Sequence, residues 1–456
     1  MKVMKFGGGC LKDAADFIRT ADIIRNDTDE TIVVVSAVSG VTDLLLSGIQ
    51  TALDSEHNVP GLLSNLLSVH ENIVKSCIRK PKERLQVMKA IEQRIDNLKR
   101  QFFGAAYSGE ISAALKAVIL SYGERFSALI LSGVLNDIGL DAEAMEADKI
   151  GMITDESCEN ATMIPELVRK EMREQLIQAV GCGRISVVTG FFGRSETGKV
   201  TTFGRNGSDY SAAVVAYAVN ADSLEIWKDV DGFMTADPKM VKNAGRIDRL
   251  SYYEAAELSY FGAKILHPRT VEPLVELGTP LYIKNVGKPD SNGTLIGAPG
   301  YTREDIIKSV TCSRKMAVLR IQGPGIGFKP GIISEIGRLI AGAGINIYSV
   351  ITSQTCINLL VDKGDSSKGI EVLSPLCGGV IEKIDLQDRI ALIGAVGEGL
   401  IHTPGLAARM FTVVAREHVN IQMISAGASD IAYYFIVDEE DVEKAIIAIH
   451  GEFFCV

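Results

Sequence analysis

All five residues of Thr31-Ile-Val-Val-Val35 are β-branched. Such a run suits a strand covered on both faces, as in a parallel sheet packed between helices. Ahead of it lie a short apolar strand over residues 3–6, the turn Gly7-Gly8-Gly9, and a helical pattern over 11–24. Strand, helix and fully apolar strand in succession read as a βαβ unit, so the fold class is α/β. Parallel sheets take their ligands at the carboxyl ends of strands. The junctions at residues 6–9 and 36–42 are therefore expected to share one crevice.

A third junction lies further on. An apolar strand over 185–189 precedes Thr201-Thr-Phe-Gly-Arg-Asn-Gly-Ser-Asp-Tyr-Ser211, and a helix-like apolar run covers 212–219. A glycine-bearing turn into a helix aims N–H groups and a helix N-terminus at one point, which suits an anion. The turn adds a guanidinium (Arg205), a hydroxyl (Ser208) and a carboxylate (Asp209). It reads as the acceptor end of a phosphotransfer site. Residues 43–135 are mostly helical in pattern, with breaks expected near Pro60 and Gly104. Gly287 to Thr294 and Pro299-Gly300 look like the end of the first domain. Beyond residue 305 the order strand–helix–strand–strand–helix–strand runs twice, an internal repeat of about 75 residues. That order is the ferredoxin-like unit.

Composition narrows the function. The net charge of −10 argues against nucleic acid as a partner. No apolar run of about 18 residues stands out, so no membrane span is expected, and the chain reads as cytoplasmic. Eight scattered Cys without a C-x-x-C pair read as reduced thiols, with no metal site. There is no P-loop.

Lys5 precedes three glycines, where it is either a surface charge or a cation set on a polyphosphate. Glu124 lies in an apolar stretch, as a surface charge or the partner of a ligand ammonium. Lys228-Asp229 and Asp237-Pro-Lys239 follow a strand, as solvated turn charges or nucleotide contacts. Lys264 sits in a small-residue turn after a helix, where complementing the helix dipole is the other reading.

Six motifs then fall in the order and rough spacing of one family. They are Lys5-Phe-Gly-Gly, Ser36 to Thr42, Ser121-Tyr-Gly-Glu-Arg125, Thr202-Phe-Gly-Arg-Asn-Gly-Ser-Asp-Tyr210, Trp227-Lys-Asp-Val-Asp-Gly232 and Phe261-Gly-Ala-Lys-Ile-Leu-His-Pro268. Over nearly its whole length the chain resembles aspartate kinases, of the monofunctional kind with two C-terminal ACT domains. The resemblance implies an amino acid kinase fold, a three-layer α/β/α sandwich with a mostly parallel sheet, over residues 1–300. Ferredoxin-like ACT domains follow over 301–386 and 387–456, with a last strand near 453–456 expected to pair back with the first.

The implied reaction is ATP-dependent phosphorylation of the L-aspartate side chain to 4-phospho-L-aspartate. Mg²⁺ is expected with ATP. The resemblance puts Lys5, Arg205 and Asp209 in catalysis, and Ser36, Thr42, Glu124, Arg205 and Ser208 on aspartate. Lys5, Phe6, Gly7, Gly8, Lys228, Asp229, Met234, Lys239, Lys264 and Ile265 fall to the nucleotide. Pro330, Gly331, Ile332, Asn346, Ser349 and Gln354 fall to a lysine or threonine effector at a homodimer interface between ACT domains. Four features depart from the family pattern: Gly9-Cys10 replaces Thr-Ser, Asn206 replaces Gly, Lys228 stands where Thr is common, and Met234 stands where an aromatic is common. The alternatives are a kinase paralogue for a related amino acid and a weakly active amino-acid sensor.

Overall fold

The computed structural model describes residues 1–27, 30–204, 206–262, 265–298 and 306–454. The chain divides into two compact units. The first comprises Met1–Phe233, Arg246–Ala256 and Lys264–Tyr301; the second comprises Met234–Gly245, Glu257–Ala263 and Thr302–Val456.

The first unit opens with β1 (Lys2–Phe6), α1 (Ala14–Asn26), β2 (Thr31–Val35), α2 (Val41–Asp54), α3 (Val59–Cys77), α4 (Pro81–Ser108) and α5 (Ala113–Asp137). It continues through β3 (Ala142–Met145), β4 (Ile153–Thr154), α6 (Pro165–Gly181), β5 (Ile185–Thr189), β6 (Phe192–Ser195), β7 (Val200–Thr202), α7 (Gly207–Val219) and β8 (Ser223–Lys228). Then come β9 (Arg249–Ser251), α8 (Tyr252–Phe261), α9 (Glu272–Val275), β10 (Leu281–Asn285) and β11 (Thr294–Gly297).

Eight strands form the central sheet in the order β3-β5-β2-β1-β8-β10-β11-β9. Every pairing in it is parallel except β10 with β11. Side chains alternate across it with period two. Met4, Phe6, Val33 and Val35 pack into the core beneath α1 to α5. Lys5 points the other way, to the face where α7 lies on β1, β2 and β8. That alternation sets a lysine opposite the start of α7.

Gly104 does not break the helical region. It lies inside α4, between Phe102 and Ala105, which are fully buried. The break comes at Gly109, whose left-handed φ of +69° closes the helix. Pro60 sits at the start of α3, where a missing N–H costs nothing. Among the described residues, α5 alone is long and apolar enough to cross a membrane, and 89% of its most apolar stretch is buried as core.

The second unit holds β12 (Ser309–Ser313), β13 (Met316–Gln322), α10 (Ile332–Gly342), β14 (Ser349–Thr352), β15 (Cys356–Asp362), α11 (Ser366–Leu373) and β16 (Lys383–Gln387). After these come β17 (Ile390–Val396), α12 (Leu406–Arg416), β18 (Met423–Ser425), β19 (Ala432–Asp438) and α13 (Val442–Phe454). Two antiparallel four-stranded sheets result, β14-β15-β13-β16 and β12-β17-β19-β18. Each follows the ferredoxin-like order.

The expected closing strand near 453–456 is corrected here. Phe453 and Phe454 end helix α13, and residues 455–456 lie outside the described residues. Ile446, Ile449 and Phe453 recur at helical spacing and are all buried in one core. The free edge of β17 is filled instead by β12, which precedes the first repeat and pairs antiparallel with β17. Two stretches from the middle of the chain also join this unit. Ala236 and Val241 enter the same core, Thr235 Oγ1 lies 2.9 Å from His450 Nε2, and Glu257 accepts from Ser429 Oγ at 2.8 Å.

Candidate active site

The site in the first unit is built on the ends of β1, β2 and β8 and the first turn of α7. Asn206 caps α7 with φ +58°. Asparagine tolerates this left-handed conformation better than most residues, which accounts for its standing in for glycine. Ser208 and Asp209 then occupy the first helical turn, 6% and 1% exposed. A carboxylate there is favoured by the helix dipole.

Asp209 is held from two sides. Its Oδ1 meets Lys5 Nζ at 2.5 Å, an ion pair that lacks regular hydrogen-bond alignment. Lys228 Nζ donates to Oδ2 at 2.9 Å. Burial alone would raise the Asp209 carboxyl, but the Lys228 and Lys5 ammoniums hold it at about 2. Burial pushes Lys5 below the usual lysine range, against the pull of Asp209.

The glycine turn lies beside this pair. Gly7 N–H donates to the Trp227 carbonyl at 3.2 Å. A Cβ on Gly7 would stand 3.4 Å from Lys5 Nζ, one on Gly8 3.2 Å from the Ala37 carbonyl, and one on Gly9 3.2 Å from the Asp229 carboxylate. A larger residue at position 8 would press on backbone, whereas at 7 and 9 the neighbours are side-chain ends. Cys10 is buried and turned inward, donating its S–H to the Trp227 carbonyl at 3.3 Å. Burial pushes that thiol up to about 11.

Glu124 sits within α5, 3% exposed. Its Oε1 accepts the Ala37 N–H at 3.0 Å, while the buried Oε2 has no hydrogen-bond partner among the described residues. Burial raises the carboxyl to about 8, against the pull of the Ala37 N–H, Lys5 and the Ser208 hydroxyl. A buried acceptor left open in this way is what a ligand ammonium would complete.

The other predicted residues differ in placement. Ser36 and Thr42 are half-buried at the end of β2 and in the first turn of α2, and Ser36 N–H donates to the Phe6 carbonyl at 3.1 Å. The Phe6 side chain is a correction: it is core, its ring stacked on Trp227 at 5.9 Å, and only its backbone borders the turn. Asp229 is exposed, 3.7 Å from Lys12 Nζ. Ile265 is half-buried in the first unit. Arg205 and Lys264 lie outside the described residues.

Met234 and Lys239 belong to the second unit, where the Met234 carbonyl accepts from Ser309 Oγ at 2.8 Å and Lys239 is exposed. Of the proposed effector residues there, Pro330 and Gly331 are exposed at the head of α10, and Ser349 opens the edge strand β14. Asn346 Nδ2 donates to Tyr260 Oη at 3.4 Å, and the Gln354 carbonyl accepts the Gly327 N–H at 3.1 Å. The Ile332 side chain is instead buried core.

Sequence reasoning missed the small residues that allow the close approaches. A Cβ on Gly190 would lie 2.8 Å from Ser208 Cβ and 2.9 Å from the Val35 carbonyl, and one on Gly123 would lie 2.7 Å from Ala37 Cβ. A glycine directly after the apolar strand over 185–189 was the available signal. Gly190→Val is expected to displace the Ser208 turn, at a cost of about 1–3 kcal/mol. Thermal melting should fall by several degrees and KM for the acceptor should rise; an unchanged KM would show that the turn does not carry the acceptor site.

Among the described residues, no group of three or more His, Cys, Asp or Glu side chains could hold a metal ion. The parallel sheet, the glycine turn under a lysine and the twin ferredoxin-like sheets define an amino acid kinase domain joined to an ACT pair. Residues 1–285 match the amino acid kinase family, and residues 311–375 and 393–453 each match an ACT domain.

The chain is 30% identical over 463 residues to the lysine-sensitive aspartokinase 3 of Escherichia coli, covering 99% of each. Its fold superposes on the crystal structure of E. coli aspartokinase III in complex with aspartate and ADP, with a TM-score of 0.85, 28% identity and full coverage of both chains. The chain belongs to the aspartokinase family. It also spans about half the length of longer relatives: it is 29% identical to the bifunctional aspartokinase/homoserine dehydrogenase 1 of Arabidopsis thaliana, covering 99% of this chain and 51% of that protein.

Proposed function

We propose that the protein phosphorylates the side-chain carboxylate of L-aspartate with ATP, giving 4-phospho-L-aspartate, under amino-acid control through its ACT pair. The observation that carries this reading is the Lys5–Asp209–Lys228 cluster, with Lys5 and Asp209 buried, at the carboxyl ends of parallel strands, beside Glu124 with its open oxygen. Support also comes from the aspartate and ADP held by the structurally similar E. coli enzyme.

The chemistry is a phosphoryl transfer between two anions. An acceptor carboxylate oxygen forms a bond to the γ-phosphorus, the bond to the bridging oxygen breaks, and ADP leaves with the electron pair. The acceptor is already ionised at neutral pH, so no proton has to move. Asp209, at about 2 and with both oxygens turned to lysines, is too weak a base to be needed for one. Its role is to fix the two ammoniums.

Catalysis is then positioning and charge neutralisation. Lys5 faces the transferring group, Glu124 takes the aspartate ammonium, and Ser208 adds a hydroxyl. Mg²⁺, which would offset phosphate charge, would be held mainly by ATP itself, a form that needs few protein ligands. The effector is an amino acid bound by an ACT homodimer. Lysine comes first to test, given the lysine-sensitive E. coli relative.

The test is ADP release with L-aspartate, with L-glutamate and with no acceptor, with acyl phosphate trapped as a hydroxamate. ADP release should require aspartate, and lysine or threonine should reduce it. Turnover with glutamate and none with aspartate would sink the assignment. No turnover with any acceptor, together with tight amino-acid binding, would point to a sensor.

A further inference from the structure

We propose that Lys228 is a second catalytic cation of the transfer step, bridging Asp209 and the phosphates of the bound nucleotide. This rests on the kinase reading above and adds a charge that the glycine turn does not provide.

One buried and one half-buried lysine share a single carboxylate, so ammonium groups outnumber the carboxylate that offsets them. Such an excess is costly to bury and suits an incoming anion. Lys228 is the better placed of the two to meet it. Its side chain is 16% exposed against 5% for Lys5. Strand register pairs Phe6 with Trp227, which brings Lys228 level with Gly7. An ammonium has three donors. One holds Asp209 Oδ2, leaving two for phosphate oxygens.

The turn itself supplies no competing side-chain donor. Gly7, Gly8 and Gly9 have none, and the Cys10 thiol is committed to the Trp227 carbonyl. A hydroxyl-bearing residue at position 9 would meet the Asp229 carboxylate, 3.2 Å from a Cβ built there. A strand-end lysine therefore does what turn hydroxyls would otherwise do. Lys228 moves no proton. It offsets the negative charge on the bridging oxygen as the γ-phosphorus leaves it for the acceptor carboxylate.

The test compares Lys228→Gln, Lys228→Met and Lys228→Arg in the full chain by ADP release with aspartate. Glutamine, one carbon shorter, keeps an uncharged N–H donor on the Asp209 side, so the comparison survives if the methionine variant folds poorly. Glutamine and methionine should each lower kcat/KM for ATP about 100-fold, with KM for aspartate changed less than about threefold. Arginine should stay within about tenfold of the wild type.

Wild-type rates in Lys228→Gln would reduce Lys228 to a tether for Asp209 and overturn the proposal. So would an arginine variant as slow as methionine, or an equal loss on the aspartate side. An inactive wild-type chain would remove the kinase reading itself. An active wild type with an equally active glutamine variant removes this proposal alone.

Discussion

Lys5→Met is expected to lower kcat about 100- to 1,000-fold while the chain still binds aspartate. The lysine faces the transferring phosphoryl group, and losing one aimed donor at such a site costs about 10² to 10³. Removing it also leaves Asp209 Oδ1 buried without its counterion. Breaking one side of a buried pair costs about 3–5 kcal/mol, here moderated by Lys228 on the other oxygen.

The double variant Lys5→Met, Asp209→Asn separates the two effects. It should recover much of the lost melting temperature, because the stranded charge is gone, and none of the activity. Recovery of activity would mean that Lys5 serves only to steady Asp209. The wild type carries a matching pH signature. The Asp209 carboxyl lies at about 2, below its ordinary 3.8. Its contribution, on the order of 2 kcal/mol, is complete above pH 3.8 and is lost as pH falls through 2. Lys5→Met should shrink that acid-side loss.

How much of this was legible in the sequence depends on range. Lys5, Gly7, Gly8, Ser208 and Asp209 were legible because each lies in a short motif at a strand-to-helix junction. Period-two alternation already set Lys5 and Phe6 on opposite faces, so Phe6 could have been read as core from the start. The Lys228–Asp209 contact was not legible. It links positions 19 residues apart through strand register, which no local pattern records. The filling of the β17 edge by residues 309–313 was hidden for the same reason. Strand propensity marks that a segment pairs, not with which neighbour. Gly104 misled because a single glycine costs only about 1 kcal/mol in a helix, less than the burial of Phe102 and Ala105 beside it returns.

Glu124→Gln is expected to raise KM for aspartate about 100-fold and to abolish a pH dependence that the wild type should show. In the free protein, burial holds this carboxyl at about 8, above its ordinary 4.5. Below pH 8 it carries a proton, which must leave when the aspartate ammonium arrives. Wild-type affinity for aspartate should therefore climb as pH rises towards 8, approaching tenfold per unit, and level off above it. Calorimetry in buffers of different ionisation enthalpy should detect close to one proton released per aspartate at pH 6.5 and almost none at pH 9.

Folding responds with the opposite sense. Between pH 4.5 and 8 the native state binds the extra proton, so stability falls with rising pH by up to several kcal/mol. Glu124→Gln should accordingly gain melting temperature at pH 8 relative to the wild type and little at pH 5. A glutamine variant that keeps the wild-type pH slope would assign the proton to another group. It would also break the link between the open Oε2 and the substrate ammonium, since that link requires a single buried carboxyl to supply both the proton and the charge.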